Sequence, residues 1–526
     1  MCGREHRCQT ALVLSWGVRN RAAALLRASD HGVSCMARRP ERCPIHGDHA
    51  GLRHQEVYLM NRNSLRFLSV GLLLAAVACG DDDGGSGGAG SVSSGTGGAG
   101  GTGGSADGGG GGGDGGGGAS TPGGSGAVDT GVYRNLFVEN GRTQDEVNAK
   151  ITAAWDHLFK GDPAQEAVYF EQEENDNGPL AQIRDIASED VRSEGMSYGM
   201  MIAVQTDHQA EFDALWNWAK TYMFHADETH PAYGYFSWQM NFDGTPLDEM
   251  PAPDGEEYFA TALYFASGRW GNGEGIYNYR AEADRLLDLM KNRPEITGES
   301  FGNGETRTTT GSTLFNTENH QIRFTPDTGN FETNGDHTDP SYHLPAFYEI
   351  WAKYGPEADR AFWSEAAEVS RGYFHLAAHP ETGLTPDYAN FDGTPKAASW
   401  KPESVDFRFD AWRTAMNWSV DWAWWAKDER QQELSDRIQA FFEAQGAEYG
   451  NQFTLDGEAL SADHSSGLVA MNAAASLAAK DPRSADFVQA LWDLDPPSGQ
   501  YRYYDGMLYF MALLHVGGQF QAYAPQ

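Results

Sequence analysis

Ser193-Glu194-Gly195-Met196-Ser197-Tyr198-Gly199-Met200-Met201-Ile202-Ala203, preceded by Val191-Arg192, is the stretch on which the reading of this chain turns. Its apolar residues recur at helical spacing, so a helix is expected over 193–206. Ser193 is placed to cap it, and Gly195 and Gly199 leave room for a ligand or a neighbouring helix to come close. Glu194 is an acid in an unusual setting, beside Met196, Met200 and Met201. An apolar shell raises a carboxyl's pKa, as a proton donor in catalysis requires. The plainer reading is a carboxylate that complements the helix dipole.

Outward from this segment the same periodicity continues. Helices are expected at 144–159, 209–224, 254–267, 280–291, 340–354 and 358–376, then at 408–426, 428–445, 464–479, 485–493 and 503–515. With 193–206 these make twelve, mostly as neighbours with short gaps, and alternating β-branched runs are nearly absent. Six pairs suggest an all-α fold, a closed α/α toroid with its site built by loops on one face. An α-solenoid would need a repeat of fixed period, and none is visible. Three loops, 225–253, 294–339 and 377–407, are long enough to be functional.

Composition separates the chain into parts. The 526 residues carry 74 acidic and 38 basic side chains, a net charge of −36. Residues 1–79 hold 11 basic and 5 acidic side chains, so the remainder carries −42, which repels nucleic acid and anionic lipid headgroups. All five cysteines lie before residue 80, so no disulfide framework, cysteine-ligated metal or haem site is expected in the body of the protein. No cofactor or metal is expected. Residues 80–127 contain 26 glycines in 48 positions and are expected to be a flexible linker with an end-to-end distance of about 35–40 Å.

Ahead of the linker, Arg62 and Arg66 precede a run of 12 apolar residues, Phe67 to Ala78, too short for a permanent span. The run ends in Ala76-Val77-Ala78-Cys79, similar to a bacterial lipobox. Residues 60–79 are therefore expected to be a lipoprotein signal, with lipidation at Cys79 and export to the cell envelope. Residues 1–59 would bury that signal, so a mis-assigned start with Met60 as initiator is expected. A metal module there has Cys8, Cys35, Cys43 and His46 but no paired C-x-x-C. Residues 128–526 are expected to form one catalytic domain, a monomer whose only membrane contact is the lipid.

Fourteen tryptophans fall in that domain. Trp216, Trp218, Trp422, Trp424 and Trp425, at helical spacing, are expected in the core. Tyr235 and Trp238 lie in a polar loop, Tyr233-Gly234-Tyr235-Phe236-Ser237-Trp238-Gln239, where aromatic faces beside amides suit a sugar ring. Two further acids stand at helix starts. Asp254, in Pro251-Ala252-Pro253-Asp254, reads first as an N-cap. Asp410, in Phe407-Arg408-Phe409-Asp410-Ala411-Trp412-Arg413, reads first as an ion-pair partner of Arg408 or Arg413. Glu256 and Glu257 read as first-turn charges.

The motif SEGMSYGMMIAV closely resembles the signature of glycoside hydrolase family 8, and the resemblance extends over most of 135–520. It implies an (α/α)6 barrel and an inverting mechanism. It makes Glu194 the general acid and Asp410 the general base. Asp254 would bind and distort the sugar at the cleavage point, and Tyr342 would hold the attacking water. Arg413 would orient the base or bind a hydroxyl, with Tyr198, Tyr235, Trp238 and His464 as further substrate contacts. The stretches DPSYHLPAFYEIWAKYG, HSSGLVAMNAAASLAA and YRYYDGMLYFMALLHVGGQF look most like the family members that release xylose from the reducing end of xylooligosaccharides. In that group a histidine near the penultimate helix, matched by His464, meets the reducing-end sugar, and a loop there stops longer chains. Endoxylanase, endoglucanase and chitosanase are the alternatives within the family. A non-catalytic surface glycan-binding protein is disfavoured because the acids are all present, and a uronate lyase because the acidic excess opposes its substrate.

Overall fold

A computed structural model describes residues 125–327 and 335–526, all within the unit Gly113–Gln526. The expected leader, signal, Cys79 and nearly all of the linker lie outside the described residues. All twelve expected helices are present: α1 (Gln144–Lys160), α2 (Ser193–Gln205), α3 (Gln209–Trp218), α4 (Pro253–Trp270), α5 (Tyr279–Asn292) and α6 (Pro345–Tyr354), then α7 (Arg360–Ala377), α8 (Trp412–Trp425), α9 (Arg430–Gln445), α10 (Ser466–Ala474), α11 (Ser484–Asp493) and α12 (Arg502–Val516). Helix α1 starts with a reciprocal cap: the Thr143 hydroxyl accepts from Glu146 N, and Glu146 accepts from Thr143 N at 2.8 Å. Helices α4 and α6 each begin on a proline, whose missing N–H costs nothing in the first turn.

The even-numbered helices form an inner set. Each touches the next in chain order, α2 to α4, α6, α8, α10 and α12, and α12 touches α2. Each odd-numbered helix lies against an even-numbered one. Helix α4 shows why the inner set is inner: it is buried from Pro253 to Ser267 without a break, polar residues included. Trp216, Trp218, Trp424 and Trp425 are buried as expected, while Trp422 is half-buried. Among the described residues no helix is long and apolar enough to cross a membrane.

The all-α expectation needs correction in the connecting loops. Strands β1 (Tyr169–Asn175) and β2 (Gly178–Ile183) form a hairpin. A five-stranded antiparallel sheet joins β3 (Val191–Arg192), β4 (Gln239–Met240), β5 (Pro246–Asp248), β6 (Ile296–Gly302) and β7 (Glu305–Gly311), in that order. Strands β6 and β7 turn at Asn303-Gly304, both with positive φ (53° and 83°), the two-residue turn that matches strand twist. The sheet escaped the sequence reading because β7 is Glu-Thr-Arg-Thr-Thr-Thr-Gly, a polar strand without apolar alternation.

A repeat is present after all. His230-Pro231, Gly234 and Asn241-Phe242-Asp243-Gly244-Thr245-Pro246 recur at the same spacing as His379-Pro380, Gly383 and Asn390-Phe391-Asp392-Gly393-Thr394-Pro395. The first lies between α3 and α4, the second between α7 and α8, each running from an odd helix to an even one. Both tips are built alike. Asn241 N donates to Thr245 O and Asn390 N to Thr394 O, each at 2.8 Å. Thr245 N and Thr394 N each donate to the aspartate two residues back at 3.0 Å. Gly234, Gly244, Gly383 and Gly393 all have positive φ, where a side chain would be strained.

Close contact between α2 and α4 sets the geometry of the site. A Cβ on Gly255 would stand 2.6 Å from the Ser193 hydroxyl and 2.7 Å from its Cβ. Replacing Gly255 by alanine is expected to lower stability by about 1–3 kcal/mol, read as a lower urea midpoint at unchanged slope.

Candidate active site

Four elements bring the acids together. Strand β3 runs directly into α2 and delivers Glu194 in the first turn. Helix α4 delivers Asp254, and the turn before α8 delivers Asp410, with Arg413 in the helix itself. Neither expected cap is a cap. Helix α2 is flanked by Arg192, and the Ser193 hydroxyl is buried without a protein partner; α4 is flanked by Ala252, with Asp254 already inside it.

Arg413 is the hub. Its Nη1 donates to Glu194 Oε2 at 2.9 Å, Asp254 Oδ2 at 2.8 Å and the Tyr198 hydroxyl at 2.7 Å. Its Nη2 donates to Asp410 Oδ1 at 3.0 Å. Glu194 and Asp410 therefore face adjacent nitrogens of one guanidinium, which bounds the separation of these two oxygens at about 8 Å. An inverting pair needs roughly 6.5–9.5 Å, to leave space for water.

The two acids are driven in opposite directions. Glu194 is pushed up, first by burial and then by the charge of Asp410, against the opposing pull of Arg413. Its other oxygen, Oε1, accepts from the Tyr503 hydroxyl at 2.8 Å. Burial would raise Asp410 too, but Lys401 and Arg413 outweigh it and hold the carboxyl below its ordinary range. One group is thus kept as the acid and the other as the base. Burial pushes Asp254 up to about 7, with Arg413 opposing. Of the three carboxyls around Arg413, Glu194 and Asp254 are the two that take the proton more readily.

These groups open on a cavity of about 570 Å³, a size suited to a small oligosaccharide. Trp238, half-buried, and Tyr342 line it. The Tyr342 ring lies parallel to Phe324 at 5.9 Å. The β-sheet contributes Asp248, Asn303 and Arg307, and the loop before α8 contributes Tyr388, Trp400 and Lys401. Trp400 is 45% exposed, an open aromatic face. Among the described residues no cluster of three or more His, Cys, Asp or Glu is arranged to hold a metal ion.

Three expected substrate contacts are not at the cavity wall. Tyr235 is wholly buried and its hydroxyl donates to Leu289 O at 2.8 Å, so it is a core residue. Tyr198 is buried, and its hydroxyl accepts from Arg413 at 2.7 Å. His464 is exposed before α10, its Nδ1 2.9 Å from the Tyr449 carbonyl, and is not among the residues that line this cavity. Glu256 and Glu257 are not surface charges but are fully buried. Glu256 accepts from Phe236 N at 2.9 Å and Glu257 from the Tyr348 hydroxyl at 2.5 Å, and burial pushes both well up.

Sequence reading missed Tyr503, Lys401 and Arg192. Tyr503 left a trace in Gly195, whose missing side chain is the space the phenol occupies: a Cβ there would lie 2.6 Å from its ring. Lys401 left little beyond its place in a long loop. Arg192, at the end of β3, is held by Asp185 and Asp190 at 3.1 Å each and faces Glu194.

Residues 175–518 match the model of glycosyl hydrolases family 8. The chain belongs to that family. The reducing-end xylose-releasing exo-oligoxylanase Rex8A of Paenibacillus barcinonensis is 44% identical over 402 residues, 76% of this chain and 99% of the relative. The corresponding enzyme of Halalkalibacterium halodurans is 40% identical over 405 residues, 76% of this chain and 97% of the relative. Among solved structures, a family 8 protein of Teredinibacter turnerae in complex with xylobiose is 58% identical, with a TM-score of 0.74, covering 76% of this chain and all of that one. A catalytic mutant of the xylanase from the same organism was solved with xylohexaose.

Replacing Arg413 by methionine strands the buried Asp254 and takes a cation from the partly buried Glu194 and Asp410. The variant is expected to lose about 3–5 kcal/mol of stability at pH 7. The loss should shrink toward pH 5, because the stranded groups then take up protons in the folded state; thermal melts at the two pH values measure it.

Proposed function

We propose that this chain hydrolyses β-1,4-xylooligosaccharides with inversion, releasing xylose from the reducing end. The observation that carries the chemistry is the pair Glu194 and Asp410, held by adjacent nitrogens of Arg413 and pushed to opposite protonation states. Glu194 protonates the leaving oxygen. Asp410 removes a proton from a water placed by Tyr342, and that water attacks the anomeric carbon from the other face. Asp254, beside Glu194, binds the sugar at the cleavage point and favours its distortion. Trp238 and Trp400 offer faces for further sugars. The six helix pairs are read as a closed (α/α)6 barrel, supported by family membership and by the contact of α12 with α2.

The substrate and the end attacked rest on two curated relatives, both exo-oligoxylanases that match this chain over almost their whole length. Endo-cleavage of xylan is the second reading. It is favoured by the 58% identical xylanase solved with xylohexaose. Ahead of the catalytic domain, export as a lipoprotein anchored at Cys79 and tethered by 80–127 is part of the same proposal.

With reducing-end-labelled xylohexaose, labelled xylose is expected as the first product; a ladder of internal fragments would establish the endo reading instead. Proton NMR during the first turnovers should show the α-anomer forming from the β-linkage. Glu194→Ala and Asp410→Asn should each lose at least about 10²–10⁴-fold in kcat. The pH profile of kcat/KM should be a bell. Its acid limb, set by Asp410, should lie below the usual aspartate range, and its alkaline limb, set by Glu194, above the usual glutamate range.

A further inference from the structure

Asp410 is gripped from two sides. Arg413, on its own helix, takes Oδ1, and Oδ2 faces the Lys401 ammonium at 3.4 Å. Lys401 comes from the loop between α7 and α8 and is itself held. Its Nζ lies 2.9 Å from Oδ2 of the fully buried Asp387, and it sits 4.9 Å from the Tyr388 ring centre. Asp387 also holds the backbone beside the base. Its Oδ1 accepts from Ala411 N at 3.1 Å, the peptide that follows Asp410. The backbone bearing the lysine is pinned as well. Ser404 N donates to Lys401 O at 3.0 Å, and the buried Ser404 hydroxyl donates to Lys396 O at 2.7 Å.

We propose that Lys401, locked by Asp387, is a positioning residue for the general base: it fixes the second oxygen of Asp410 and completes a two-cation cradle whose other half is Arg413. This rests on the assignment of Asp410 as base and extends it to a loop outside the helical frame. An aspartate held only by Arg413 could rotate about its side-chain bonds. With Oδ2 held too, its remaining lone pairs are aimed at one water position. The lysine also supplies the larger share of the attraction that keeps Asp410 ionised. The other cation facing Asp410 is Arg192 of β3. The acids near it are Glu194, Asp254, Asp339 and Asp387, and each opposes ionisation. The phenols Tyr342, Tyr388 and Tyr504 stay neutral, each pushed up by burial. Among so many acids, one cation fewer shifts the balance at Asp410.

The test uses the full chain and the pH profile of kcat/KM on xylohexaose, with kcat and KM measured separately at pH 6. Lys401→Met is expected to raise the acid limb by about one pH unit and to lower kcat roughly tenfold or more, with KM changed less than about twofold. Lys401→Arg should restore the limb and most of kcat. Asp387→Asn removes both the lysine's anchor and a charge that repels Asp410, so it should lower kcat while moving the limb less than Lys401→Met does. If Lys401→Met does not fold by circular dichroism, Lys401→Gln reads the same limb with a polar side chain of similar length. An unmoved limb in a folded variant, or a rise in KM at constant kcat, overturns the proposal. Hydrolysis by the unaltered protein in the same assay separates that outcome from failure of the functional reading, in which no xylooligosaccharide is cut at all.

Discussion

A single guanidinium carries the architecture of this site. Arg413 is buried, and its two terminal nitrogens are committed to Glu194, Asp254, Asp410 and Tyr198. Taking an arginine out of water is costly, and so is taking out each carboxylate. The arrangement persists because the charges face each other and the geometry suits a planar fork. Helices α2, α4 and α8 must each arrive at a fixed point for those bonds to form, so the local chemistry and the packing of the inner helices constrain one another.

The same interaction explains why two chemically similar groups differ. Glu194 and Asp410 both touch Arg413, so the arginine cannot distinguish them. The distinction comes from their other neighbours. Asp410 meets a lysine, whereas Glu194 meets a neutral phenol and Arg192, whose pull the charge of Asp410 outweighs. Burial is the leading influence on both, and only one has enough cationic compensation to overcome it.

Much of this was legible in the sequence, for physical reasons that also mark its limits. Helices declare themselves through apolar spacing, and all twelve were found. Glu194 and Asp410 stood out because their surroundings along the chain are apolar or aromatic. The β-sheet was missed because its longest hairpin is rich in threonine and carries its signal in Asn303-Gly304. Tyr235 was misjudged because sequence cannot tell a polar loop on the surface from one folded under a helix, where Leu289 meets its hydroxyl. Lys401 and Tyr503 reach Asp410 and Glu194 only through tertiary structure. Tyr503 lies 309 residues from the glutamate it touches.

That last distance has a consequence for the birth of the enzyme. Glu194 belongs to α2 and its phenol partner to α12, the last helix of the chain, which also packs against α1 and α2. During synthesis the acid therefore waits, unsupported, until nearly the whole chain has emerged. Early helices have no final partner to pack against in that interval, and a topology that joins chain ends is slow to settle. Catalytic competence is consequently a late event in the life of each molecule, and a chain cut short before α12 would have its principal acids in place and lack the seam that aligns them.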